Sequence, residues 1–345
     1  MKTTTFIAAA ALAACTTAFQ AHAQTAAPAA VPVSVDNFPR VETDAYLTMM
    51  SKLAGLGKLR HGRALTSIDQ QRVIRMNRDT LYSSVVFDLD AGPATITLPD
   101  AGKRYLSLHV INQDHYTANI FHGAGSYTLT RDSVGTRYAY IIIRTFVDPA
   151  SADDLKQAHA LQDAMQVSQK DAGKLELPAW DAASHKKVRD ALIVLASTMP
   201  DLTQAFGTKA TVNPVRHVVG AASAWGGLPE KETIYLNVTP PKNDGKTVYR
   251  FSVKDVPVDA FWSVSVYNAA GYFDKNPEGA YTVNNITAKR GGDGNVTVQF
   301  GGCEDGKTPN CLPIMPGWNY LVRLYQPRPE AASGAWKFPE AQPVN

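Results

Sequence analysis

The run Asn77-Arg78-Asp79-Thr80-Leu81-Tyr82-Ser83-Ser84-Val85-Val86-Phe87-Asp88-Leu89 decides how this chain is read. After Thr80, the positions Leu81, Ser83, Val85, Phe87 and Leu89 alternate with Tyr82, Ser84, Val86 and Asp88. Side chains along a strand point to opposite faces in turn, so the alternation predicts a strand with two distinct faces. Amide, guanidinium, carboxylate and hydroxyl groups crowd the turn that feeds it. Such a cluster is either a structural corner, with Asn and Asp folded back on backbone amides, or the lip of a site.

Working outward, short strand-like runs cover residues 71–76, 95–98, 105–111, 126–130 and 138–146, separated by Gly, Pro and Asp turn signals. Residues 138–146 are apolar at nearly every position, as in a central strand covered on both faces. A helix is expected over 42–56, closed by Gly55 and Gly57. The middle of the chain reads as helical. Ser151 with Asp154 marks an N-cap, and a stripe from Leu155 through Met165 to Ser168 ends at Gly173. A second helix ends near Pro200. A third is announced by Asn213 before Pro214 at the first helical position, with Gly226-Gly227 closing it. Strands resume over 233–238, 247–253, 261–268, 296–300 and 320–325.

The expectation is a mainly β (α+β) protein: two jelly-roll-like antiparallel β modules over 40–150 and 228–345, joined by a helical linker over 151–227.

The first 23 residues have the anatomy of an export signal: Lys2, an apolar run from Phe6 to Ala14, and Ala21-His22-Ala23 as the cleavage site. Leu12-Ala13-Ala14-Cys15 offers a rival reading, a lipobox that would place a lipid on Cys15. Residues 24–39 form a flexible lead-in. The expected location is the periplasm or the outside of the cell. Removing Lys2 with the signal leaves 33 basic and 31 acidic residues, a net charge of +2. That balance, without any Lys/Arg run, argues against a nucleic-acid partner. No later segment is apolar over a membrane-spanning length. Cys303 and Cys311 remain, and two cysteines this close in an exported chain are expected to pair.

The sequence has no G-x-S-x-G, H-E-x-x-H, Walker or dinucleotide fingerprint. His109, His115 and His122, with Asp114 between, raise a metal alternative. The plainer reading is histidines that hydrogen-bond within a polar cavity, with no metal. For chemistry, Asp79, His115 and His217 are the candidate catalytic groups. Asn77, Thr80, Tyr82, Arg216, Tyr267 and Trp318 are the candidate ligand contacts. Arg216 and His217 lie on a helix expected to be buried, where a charge needs a partner. Trp225, Trp262 and Trp318 suit a sugar- or lipid-like ligand instead.

Residues 77–87 (NRDTLYSSVVF), 135–148 (GTRYAYIIIRTFVD), 259–276 (DAFWSVSVYNAAGYFDKN) and 311–329 (CLPIMPGWNYLVRLYQPRP) together resemble the paired bacterial domains of unknown function 1254 and 1214. The first two blocks resemble the N-terminal member and the last two the C-terminal one. The resemblance implies two jelly-roll-like modules joined by helices. It implies no reaction, no cofactor and no catalytic residues. The expected partner is a small molecule; the cofactor is unknown, and a homo-oligomer is left open. The two functions weighed are an exported enzyme acting on a small polar or anionic substrate between the modules, and an envelope-associated binding or interaction protein without catalysis.

Overall fold

The structure is a computed structural model that describes Met1 and residues 29–71, 74–199 and 201–344. The signal, its cleavage site and Cys15 lie outside the described residues, as do Arg72 and Val73 of the strand expected over 71–76. The rest of that segment is turn and irregular chain, with Arg75 at φ 54°.

In chain order the first part contains α1 (Phe38–Ala54), β1 (Arg60–His61), β2 (Thr80–Asp88), β3 (Ala94–Leu98), β4 (Leu106–Asn112), β5 (Thr117–His122), β6 (Gly125–Leu129), the short α2 (Arg131–Val134) and β7 (Tyr138–Phe146). The middle contains α3 (Ala152–Ala164), β8 (Gln166–Gln169), α4 (Ala182–Ala196) and α5 (Pro214–Ser223). The last part contains β9 (Thr233–Val238), β10 (Tyr249–Val253), β11 (Trp262–Tyr267), β12 (Thr282–Asn284), β13 (Val296–Phe300), β14 (Cys311–Leu312), β15 (Asn319–Tyr325), the short α6 (Pro329–Ala332) and β16 (Gln342–Pro343). The fold is mainly β, and pairing among these strands is antiparallel except for the short parallel contact of β13 with β14.

Each half is a two-sheet sandwich. In the first, the sheet β1-β2-β7-β4-β5 packs on β6-β3-β8. Val85, Phe87, Leu108, Ile141 and Ile143 meet Ile96, Leu98 and Leu129 there. In the second, β14-β13-β10-β16 packs on β12-β11-β15-β9 through Phe251, Val298, Phe300, Val264, Val322 and Trp318. Burying these alternating apolar faces is the main driving force for each sandwich. The helices α1, α4 and α5 pack on one another and cover part of the outer face of the first module, where Leu47 and Met50 meet Val86, Tyr140 and Ile142.

The caps follow the sequence. Ser151 accepts from the Asp154 amide, and Asn213 accepts from Val215 and Arg216 N–H at the start of α5. The α3 stripe is shorter than its spacing predicts. Met165 is the C-cap, and Ser168 lies in β8, which pairs with β3 and completes the first sandwich. The segment 151–169 is therefore not only linker. Cys303 and Cys311 are disulfide-bonded. Among the described residues no helix is long and apolar enough to cross a membrane.

Candidate functional site between the two sandwiches

The parity of two strands builds the site. On β7, residues 141 and 143 enter the first core, so Arg144 points the other way. The register places Tyr82, Arg144, Ser107 and His122 in one row across β2, β7, β4 and β5. On β15, Tyr320, Val322 and Leu324 enter the second core, so Arg323 points outward. Asn284, Ser263, Arg323 and Tyr235 form the matching row across β12, β11, β15 and β9. These two polar outer faces meet along a seam between the modules.

The chain at 75–79 stitches that seam. Asn77 donates to Tyr325 Oη (3.0 Å), and its Oδ1 accepts from the Asp79 amide (2.8 Å). Asn284 donates to Asp79 Oδ1 (3.1 Å), and Tyr267 donates to Met76 O (2.8 Å). Arg323 donates to Arg75 O (2.7 Å), Tyr267 Oη (2.9 Å) and Ser265 Oγ (3.2 Å). The Asx-turn expected as the bland reading of Asn77 therefore exists, and the same residue also spans the seam.

Asp79 is 1% exposed. Its Oδ2 accepts no hydrogen bond; Ser263 Oγ stands beside the carboxylate but completes none either. Burial pushes the Asp79 carboxyl up from its ordinary value, against the opposing pull of Arg323, Ser263, Asn284 and Arg78. Asp79 lines a cavity of about 180 Å³ with Arg78, Asp148, Tyr281, Thr282, Asn284 and Thr287. Arg78 reaches the mouth, its guanidinium 5.1 Å from the centre of the Tyr281 ring. A larger groove of about 490 Å³ opens further along the seam, walled by Tyr105, Phe146 and Phe261 with Lys103, Arg104 and His122.

A second cluster lies behind the first. His115 adopts φ 65°, and its Nε2 accepts from Gly226 N–H (2.9 Å). Its Nδ1 is buried without a partner. The His115 ring stacks on His217 (5.4 Å) and Trp225 (5.5 Å). The Gly226 carbonyl accepts from Arg144 Nη2 (2.7 Å), so the backbone of one residue links the two clusters. Burial, then Arg144 and His115, hold His109 well below the usual histidine value; burial and His217 do the same to His115.

Of the residues singled out from the sequence, Asn77, Asp79, Thr80, Tyr82 and Tyr267 meet at the seam. His115 and His217 belong to the cluster behind it, where the ring nitrogens of His217 lie against Asp114 O (2.9 Å) and Ala205 O (3.2 Å). Arg216 joins neither. It pairs with Asp201 (2.8 Å) in a partly exposed ion pair, because its face of α5 is turned outward. Trp318 is fully buried in the second core, sharing the inward parity of Tyr320. The three-histidine metal alternative does not assemble: His109 bonds Thr117 and His122 bonds Glu232. Among the described residues no cluster of His, Cys, Asp or Glu could hold a metal.

Sequence reasoning missed Arg144, Arg323, Tyr105, Tyr235, Tyr325, Ser263 and Asn284. A signal was present for the two arginines. Each is a lone charge inside an otherwise apolar central strand, YAYIIIRTF and NYLVRLY.

Family models match at residues 56–133, "Protein of unknown function (DUF1254)", and at 238–329, "Protein of unknown function (DUF1214)". No curated protein matches. The crystal structure of the VPA0106 protein from Vibrio parahaemolyticus is similar, with a TM-score of 0.65 at 19% identity, over 91% of this chain and 100% of that one. A putative uncharacterized protein from Burkholderia cenocepacia aligns with a TM-score of 0.48 at 14% identity, over 85% of this chain and 84% of the other. At these identities the likeness to VPA0106 speaks to fold alone.

Proposed function

Because this chain belongs to the family that pairs DUF1254 with DUF1214, and the pairing creates the seam, we propose that the seam is where it works: an exported enzyme acting on a small polar substrate. One observation carries the reading. Asp79 is a buried carboxyl with a raised pKa and one oxygen free of hydrogen bonds, in the wall of a cavity between two modules. A perturbed acid in a cleft is the usual mark of a proton-transfer group. Asn284 fixes the other oxygen, which would leave Oδ2 to take or give the proton. The amide and hydroxyls of Asn284, Thr282 and Thr287 favour a hydroxylated ligand. At about 180 Å³ the cavity is smaller than drug-sized sites, so that ligand is small. The Cys303–Cys311 disulfide supports an oxidising, exported location.

The aromatic wall of the larger groove favours a second reading, binding of a sugar- or lipid-like molecule without catalysis. A thermal-shift screen of small polyols, sugars and hydroxy acids, run on the wild type and Asp79→Asn, separates the two. Hits and turnover that vanish in the variant support catalysis at Asp79. Hits of equal size in both proteins, with no turnover by NMR, sink it.

A further inference from the structure

The middle of the seam carries a charge without a counter-charge. Arg144 is 6% exposed and sits at the centre of its cross-sheet row. Its Nη2 donates to Gly226 O, and its Nη1 lies 3.5 Å from His109 Nδ1. The guanidinium stands 5.7 Å from the centre of the Tyr82 ring, and Tyr105, Tyr235 and Tyr325 complete its surroundings. No carboxylate is among these partners. Arg323, by contrast, has Asp79 nearby as its opposite charge. His109 supplies no negative charge, only a ring nitrogen. A guanidinium has five N–H donors, and a buried charge left unpaired is costly.

Two hydroxyls beside Arg144 are also unfinished. Ser107 is its Cα partner on β4, and Tyr105 shares the same face two residues earlier. Their oxygens are buried and within reach of one another, and neither has any other partner. Native proteins rarely leave buried polar atoms without partners. Here a positive charge and two O–H groups converge, and the carboxylate that acts on Tyr105, Glu232, is already paired with His122.

We propose that Arg144, Tyr105 and Ser107 bind a small monovalent anion, of the size of chloride or formate, within the seam. The charge class follows from the uncompensated guanidinium. The size follows from the burial of all three groups. The site is separate from the Asp79 cavity, whose lining includes none of the three, and it stands whether or not Asp79 is catalytic.

The test compares unfolding midpoints of the full chain in sodium chloride, sodium formate and sodium gluconate at one ionic strength. A ligand bound only by the folded state raises the midpoint as its concentration passes Kd. The midpoint should climb with chloride or formate above its value in gluconate. Tyr105→Phe and Ser107→Ala each remove one hydroxyl and keep the packing, so each should lose most of that increment. Crystals in sodium bromide should show an anomalous peak within hydrogen-bond distance of Arg144 and Tyr105 Oη. Equal midpoints in the three salts overturn the proposal. So does an undiminished increment in both variants, or bromide found only at surface sites.

Discussion

Gly226→Ala should destabilise the protein by about 2–5 kcal/mol, and the sum has two separable parts. Gly226 sits at φ 79°, where a side chain costs about 1–2 kcal/mol. A Cβ there would also stand 2.9 Å from Ile142 Cδ1, inside van der Waals contact. Ile142 is buried against α1 and Trp225, so relief requires shifting packed neighbours, at about 1–3 kcal/mol. Ile142→Val removes the offending methyl. Alone it should cost about 0.5–1.5 kcal/mol, the loss of one buried carbon. Added to Gly226→Ala it should cost little or nothing, giving a coupling of about 1 kcal/mol, while the backbone part persists. Urea unfolding of the four proteins measures this, provided the m-values agree. A Gly226→Ala protein within about 0.5 kcal/mol of wild type would refute the reasoning. So would strict additivity of the two changes.

Three further outcomes are expected. His109 and His115 refuse protons that the unfolded chain accepts, so their contribution is complete above about pH 6.5 and is lost as pH falls below it. Urea midpoints measured from pH 8 to 5 should decline on the acid side, and less steeply in His109→Gln; an unchanged slope counts against buried neutral histidines. Replacing Cys303 and Cys311 by alanine opens a loop with a sequence separation of 8, and loop entropy predicts a loss of about 2.5 kcal/mol by the same assay. Arg216→Ala should cost about 1 kcal/mol or less, because its Asp201 pair is partly exposed; a loss above about 3 kcal/mol would mean the residue is buried after all.

Much of the fold was legible because alternation reports which way each side chain faces. Val85 and Phe87 enter the first sandwich core and Leu81 a small cluster with Val147 and Ala158, as their spacing requires, while Ser151 and Asn213 cap the helices they announce and Pro214 opens the second of them. What alternation does not report is the partner across a face. The wet face of Ser263, Ser265 and Tyr267 reads the same whether it meets water or another sheet, and only the packing shows that it meets Arg323 and residues 75–79. Arg216 and Trp318 were misplaced for related reasons. A short helix with small residues on one side reads as buried all round, yet Val215 is 72% exposed beside Arg216. An aromatic near a strand end reads as a ligand contact when it is the floor of a core.

The loan of β8 to the first sandwich has a bearing on how the chain can be cut or recombined. A fragment ending at residue 150 would keep β3 but strip one neighbour from it, leaving a row of bare amides and carbonyls ready to pair with another molecule. Genetic crossovers and engineered truncations should therefore be tolerated only beyond Gln169, so the first sandwich and the nineteen residues from Ser151 to Gln169 are inherited together.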